Sequence, residues 1–184
     1  MSALDILKSY LDRQTASTSD APAAQEQSAN PDRDFSEVAR QVPSETVGSG
    51  IAAAFRSDKT PDFADMAAGL FGGSNPQQRA GLVGQLLRSV GPGLLATVAG
   101  GAFGRMLQGG SAGAPVVPPE VTPQQLNQID ETQVRDMAAA AAKEDPGIMD
   151  RVGAYYGQHP EVVKVLGGAA LAIALGHMAG RMKQ

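Results

Sequence analysis

Few side chains in this sequence are equipped for chemistry. His159 and His177 are the two imidazoles among 184 residues, and there is no cysteine. His159 stands beside Tyr155 and Tyr156 and directly before Pro160. Those three side chains would line a small polar site, but general acid–base work needs a neighbouring carboxylate that the pattern does not place, and a helix cap is the simpler role for His159. His177 faces out of an apolar segment one turn after Ile173, where a lone histidine is far more often a hydrogen-bonded structural group than a ligand or base. Asp58, Asp62 and Asp65 have a superficial metal-ligand spacing. Thr60-Pro61 turns them into a helix start with acids in its first turn, where the helix dipole favours them, so no metal is assigned. The glycines of 100–104 (GGAFG) lack the Lys-Ser/Thr ending of a phosphate loop and lie within a helical pattern rather than after a strand. These residues predict a protein that is not an enzyme and holds no cofactor or metal.

The elements that must position these groups are led by the last helix, expected over 160–183. Its stretch 165–180 (VLGGAALAIALGHMAG) carries no formal charge. Residues four apart stack on one face of a helix, so Gly168, Ala172, Gly176 and Gly180 form a stripe of small side chains that another backbone can approach closely. Leu171, Leu175, Met178 and Met182 form a bulky stripe beside it. More than half of the circumference is apolar, and the helix needs covering nearly all round.

Composition points the same way. The 42% apolar fraction comes with three tyrosines, five phenylalanines and no tryptophan, so core contacts must arise from close helix approach rather than large rings. Alternating or β-branched runs of strand length are missing, which predicts an all-α protein. The net charge of -4 and the scattered Lys/Arg argue against nucleic acid. The absence of cysteine fits a reducing compartment, and residues 1–11 hold acids and no apolar signal core, so a cytoplasmic location is expected.

Along the chain, residues 1–13 read as a short amphipathic helix whose Leu4, Leu7 and Leu11 share a face and would anchor it to the domain, a partner or a membrane surface. Residues 14–34 read as a disordered linker with too little apolar content to bury anything. From 35 to 184 a single helical domain is expected. Prolines preceded by capping residues mark helix starts at Thr60-Pro61, Asn75-Pro76, Thr122-Pro123 and Asp145-Pro146, with weaker starts at Gly91-Pro92 and His159-Pro160. Gln78, Gln125 and Gln133 add capping-box support. The predicted helices are 35–41, 43–56, 61–71, 76–90, 92–107, 123–128, 131–143, 146–157 and 160–183, with an exposed loop at 109–119.

The helix of 92–107 carries a second small stripe, Ala96, Gly100 and Gly104. Two such stripes can pack backbone to backbone, which predicts a compact multi-helix bundle around a central close-packed pair of Gly/Ala-rich helices. As membrane spans the two uncharged sixteen-residue segments are short, rising roughly 24 Å against a hydrocarbon core of about 30 Å. A membrane hairpin of glycine-zipper type is the alternative to a buried pair.

The Gly/Leu-rich run 81–110 and the later helix start Val121-Thr122-Pro123-Gln124-Gln125-Leu126 resemble the YidB-like group of small bacterial proteins. The resemblance covers the middle half of the chain and implies a bacterial, all-helical, noncatalytic protein, with no functional residue carried over. The function expected from the sequence is a noncatalytic helical scaffold that binds itself or another protein through apolar small-residue faces. A peripheral or helical-hairpin membrane protein is the alternative.

Overall fold

The computed structural model describes residues 3–16, 30–89 and 129–181, and among these every regular element is helical. In chain order they are α1 (Ala3–Ala16), α2 (Pro31–Ala39), α3 (Ser44–Phe55), α4 (Phe63–Gly73), α5 (Pro76–Ser89), α6 (Glu131–Glu144), α7 (Ile148–Gly157), α8 (Pro160–Val163), a 3-10 turn (Lys164–Leu166) and α9 (Gly167–Arg181). The all-α expectation holds. The helices predicted at 92–107 and 123–128, the loop at 109–119, and the stripe Ala96, Gly100, Gly104 with its proposed pairing lie outside the described residues.

Local capping explains two of the helix starts. Asn75 Oδ1 accepts from the Gln78 N–H at 2.9 Å while Gln78 Oε1 accepts from the Asn75 N–H at 3.0 Å. Asp130 and Gln133 exchange the same two bonds at 2.8 and 3.1 Å. Each pair satisfies donors that the first helical turn leaves without an internal partner. Thr60 does something else: its hydroxyl donates to the carbonyls of Ala54 and Ser57 at 2.7 and 2.9 Å and so closes the end of α3, and α4 begins only at Phe63.

Two boundaries correct the sequence reading. α2 starts at Pro31, inside the stretch expected to be linker, because Asn30 caps it by accepting from the Arg33 N–H and Pro31 occupies the first turn. The long terminal helix is broken. Gly167 adopts φ +81°, a left-handed conformation that costs other residues about 1–2 kcal/mol, and it separates α8 and the 3-10 turn from α9.

The chain divides into two compact units, Met1–Pro61 with Gly153–Gln184, and Asp62–Val152, a division that the sequence reading did not draw. In the first, α9 packs most extensively on α3, then on α1 and α2. Leu7, Phe35, Val38, Ile51, Tyr156, Leu171, Leu175 and Met178 are buried there. α3 also meets the end of α7 almost backbone to backbone. A Cβ added to Gly153 would stand 2.6 Å from Gly48 O, one on Gly48 would stand 2.8 Å from Ala154 Cα, and one on Gly157 would collide with Ser44 O. Ser44, Gly48 and Ala52 thus form a small face on α3, met by Gly153 and Gly157 four residues apart on α7.

In the second unit α4 packs on α6 and α5 packs on α6. The alanines of α6 let α4 come close, with Ala138 and Ala141 fully buried beside Val134 and Met137. Leu70, Leu82, Leu86, Ile148 and Val152 are likewise buried. Arg79 closes the end of α4: its Nε and Nη2 donate to the carbonyls of Phe71 and Gly72 at 2.8 and 3.0 Å, and its guanidinium lies 4.9 Å over the Phe71 ring.

Candidate functional site

The contact between α3 and α9 gathers the polar groups of greatest interest in the first unit. A Cβ at Gly50 would lie 2.8 Å from Ala174 O and 3.0 Å from Met178 Cγ, so the two helices approach closely because that side chain is missing. The approach brings the neighbouring Ser49 within reach of α9, where His177 and Arg181 lie one turn apart on the same face. Arg181 Nη1 donates to Ser49 Oγ at 2.7 Å, and His177 Nε2 lies 3.1 Å from the same oxygen. Burial, followed by the charges of Arg181 and Arg56, pushes the His177 imidazole below its usual pKa. The Ser49 oxygen accepts from Arg181 and shares a hydrogen bond with the imidazole.

That pairing is shared with a nucleophile and its base, but the surroundings differ from a hydrolytic site. Among the described residues no carboxylate hydrogen-bonds His177, so nothing there would steady an imidazolium, and the neighbouring cations oppose one. The cluster ties α3 to α9 through one hydroxyl oxygen. His177 is therefore a hydrogen-bonded surface residue, in line with the reading from sequence, and its partners Ser49 and Arg181 were not legible there.

The second histidine departs from expectation. His159 makes no side-chain cap bond at the start of α8. Its ring lies 5.2 Å from that of Tyr155, and its Nδ1 is 3.7 Å from Glu161 Oε1, so the missing carboxylate is supplied two residues further on. Tyr155 meets Tyr156 edge to face at 5.3 Å, and burial raises the Tyr155 pKa. Tyr156 itself is fully buried, so its ring is part of the core and not of a shared polar site.

Of the three aspartates with metal-like spacing, Asp65 pairs with Arg135 at 2.6 Å. Asp58 and Asp62 fall in different units. Among the described residues no three His, Asp or Glu side chains come together in a way that would hold a metal ion.

The faces of α9 are sorted sharply. Leu171, Leu175 and Met178 of the bulky stripe are fully buried. Along the small stripe Gly168 is exposed, Ala172 and Gly180 are half-buried and Gly176 is buried. A Cβ at Gly168 would meet only Pro31 Cγ at 3.5 Å, and one at Gly180 would find no atom within 4 Å. α9 approaches α3 closely at Ala174, against Gly50, while the partner expected for the small stripe lies outside the described residues. The bulky residues turn α9 so that Ala174 faces α3.

α1 buries one face within its unit. Ala3, Ile6, Leu7 and Tyr10 are buried, whereas Leu4 is 55% exposed; the side chain of Leu11 lies outside the described residues. Tyr10 Oη donates to Asp34 at 3.0 Å, and the Ala3 N–H donates to Gln41 Oε1 at 3.3 Å, tying α1 to α2 and the turn that follows it. Along α2 runs an open polar cleft of about 770 Å³ whose walls include Asp32, Arg33, Glu37, Arg40 and Lys164.

Compared with protein families, with curated proteins and with solved structures, the chain matches none.

Proposed function

We propose that this chain is a noncatalytic helical scaffold that associates with a second copy of itself through the open small-residue face of α9. The observation that carries this reading is the contrast on α9 between the buried Leu171, Leu175 and Met178 and the open positions at Gly168 and Gly180, the two ends of the small stripe. Gly180 has open space where a Cβ would stand, Gly168 and Ala169 are exposed, and Val165 just before the helix is 49% exposed. A strip of that shape admits another helix backbone at short distance. The other close-packed small faces, Gly48 with Gly153 and Gly50 with Ala174, are used within the unit.

Light scattering coupled to size-exclusion chromatography, over a range of concentrations of the full chain, tests this directly. Mass should rise with concentration. Gly180→Leu should abolish the rise without loss of fold, because the side chain enters open space and gains up to about 1 kcal/mol of helix propensity. A strict monomer at every concentration would sink the proposal.

A membrane-associated protein is the second reading, favoured by one observation: Pro160–Arg181 is long and apolar enough by length and composition to cross a bilayer. Half of that stretch is buried in the fold. The break at Gly167 leaves the 15 residues of α9, roughly 22 Å of helix against a core of about 30 Å. Flotation with neutral phosphatidylcholine vesicles decides it, since insertion of an apolar helix needs no anionic headgroup.

A further inference from the structure

We infer that the open cleft along α2 binds an extended acidic segment of a partner protein, with Arg33 and Arg40 each holding one of its carboxylates. The cleft measures about 770 Å³, and its walls run from Asn30, which caps α2, to Gln41 beyond the end of the helix and take in Lys164 of the 3-10 turn. Arg33 and Glu37 are four residues apart and Glu37 and Arg40 three, so the three side chains share one face of α2. Two helical turns separate the arginines, roughly 10 Å along the axis. An extended chain, rising about 3.4 Å per residue, covers that distance in about three residues.

Charge selects the occupant. Among the described residues the side chains of Arg33, Arg40 and Lys164 make no hydrogen bond or ion pair, and all three residues are exposed. Each guanidinium can therefore present its planar fork to a carboxylate through two parallel hydrogen bonds. The same walls carry Asp32 and Glu37, and Glu37 stands between the two arginines on their face of the helix. A polyanion charged at every unit would meet those carboxylates at like charge. A peptide can set acids opposite the arginines and a neutral or basic residue opposite Glu37, which gives selectivity as well as attraction. The cleft is open along the helix, whereas a small-molecule pocket encloses most of its ligand, so a chain laid along α2 is the better fit.

Fluorescence anisotropy of labelled Ser/Gly peptides, titrated with the full chain at low ionic strength where exposed charges are least screened, tests the assignment. The probes carry a Glu-Ser-Ser-Glu, a Glu-Ser-Lys-Glu or a Glu-Glu-Glu-Glu core. Both mixed cores should bind saturably and more tightly than the all-glutamate core. Arg33→Gln and Arg40→Gln should each weaken that binding roughly tenfold, the loss expected for one charge-assisted hydrogen bond. Lys59→Gln removes an exposed cation that does not line the cleft and should leave binding unchanged. All three substitutions fall on exposed side chains, and thermal melting confirms the fold of each variant.

Three results would overturn the inference. Absence of saturable binding by every core would leave α2 a solvated charged face. Tightest binding by the all-glutamate core would make the cleft a general attractor of negative charge, without the selectivity that Glu37 should impose. Binding that Lys59→Gln weakens as much as Arg40→Gln does would place the attraction in the overall field of the protein and not in the cleft.

Discussion

Gly153 lies so close to Gly48 that a Cβ on the former would sit 2.6 Å from the carbonyl oxygen of the latter. Backbone, unlike the end of a long side chain, cannot move aside cheaply. Gly153→Ala should therefore destabilise by about 1–3 kcal/mol, the usual cost of overpacking, although alanine gains up to about 1 kcal/mol of helix propensity. Gly69→Ala is the control. It sits exposed in α4 with nothing within 4 Å of its Cβ position, and should stabilise by up to about 1 kcal/mol. Chemical denaturation of both variants reads the opposite signs.

The N-terminal helix should prove integral to its unit. Leu7 is 2% exposed, and Leu7→Ala is expected to cost about 2–5 kcal/mol by cavity formation. Leu4, 55% exposed, should tolerate alanine within about 0.5 kcal/mol. Equal effects at the two positions would show that α1 does not dock by the face described.

Gly167→Ala tests the break in the last helical stretch. At φ +81° alanine should lose about 1–2 kcal/mol, because the chain must either hold a strained residue or rearrange the turn. A gain in stability with a rise in far-ultraviolet helicity would mean that 160–181 prefers to be one continuous helix.

Two side chains set pH limits of opposite origin and the same sign. Burial, then Arg181 and Arg56, hold the folded-state pKa of His177 below its ordinary 6.5. The unfolded chain therefore binds this proton more readily, and stability present above pH 6.5 is lost as the pH falls through the lowered folded value. His177→Gln should flatten the stability curve in that range. Asp145 acts further down: chiefly the hydrogen bond from Arg151, opposed by burial and aided by the Gly147 N–H, keeps its pKa below 3.8. Its contribution is present above pH 3.8 and lost on further acidification, and Asp145→Asn should remove that lower limb alone. Urea midpoints measured from pH 8 to pH 2.5 separate the two.

The sequence by itself determined what is settled within a few residues along the chain. Asn75 with Gln78 and Asp130 with Gln133 start their helices through bonds three residues apart, and the 3.6-residue period puts Leu171, Leu175 and Met178 on one face that must be buried. The same rule was available at Asn30-Pro31, where the polar composition around it concealed a helix start. Only the tertiary structure decided which small residues are used. The spacing Ser44, Gly48, Ala52 and the pair Gly153, Gly157 are as visible in the sequence as Gly168, Ala172, Gly176 and Gly180. Small residues permit close approach from any direction, and the crossing helix chooses among them through the bulky residues that fix its rotation. The site followed from that choice, since Ser49 and His177 are 128 residues apart. Neither has a local reason to meet the other; the missing Cβ of Gly50 opposite Ala174 is what brings them together.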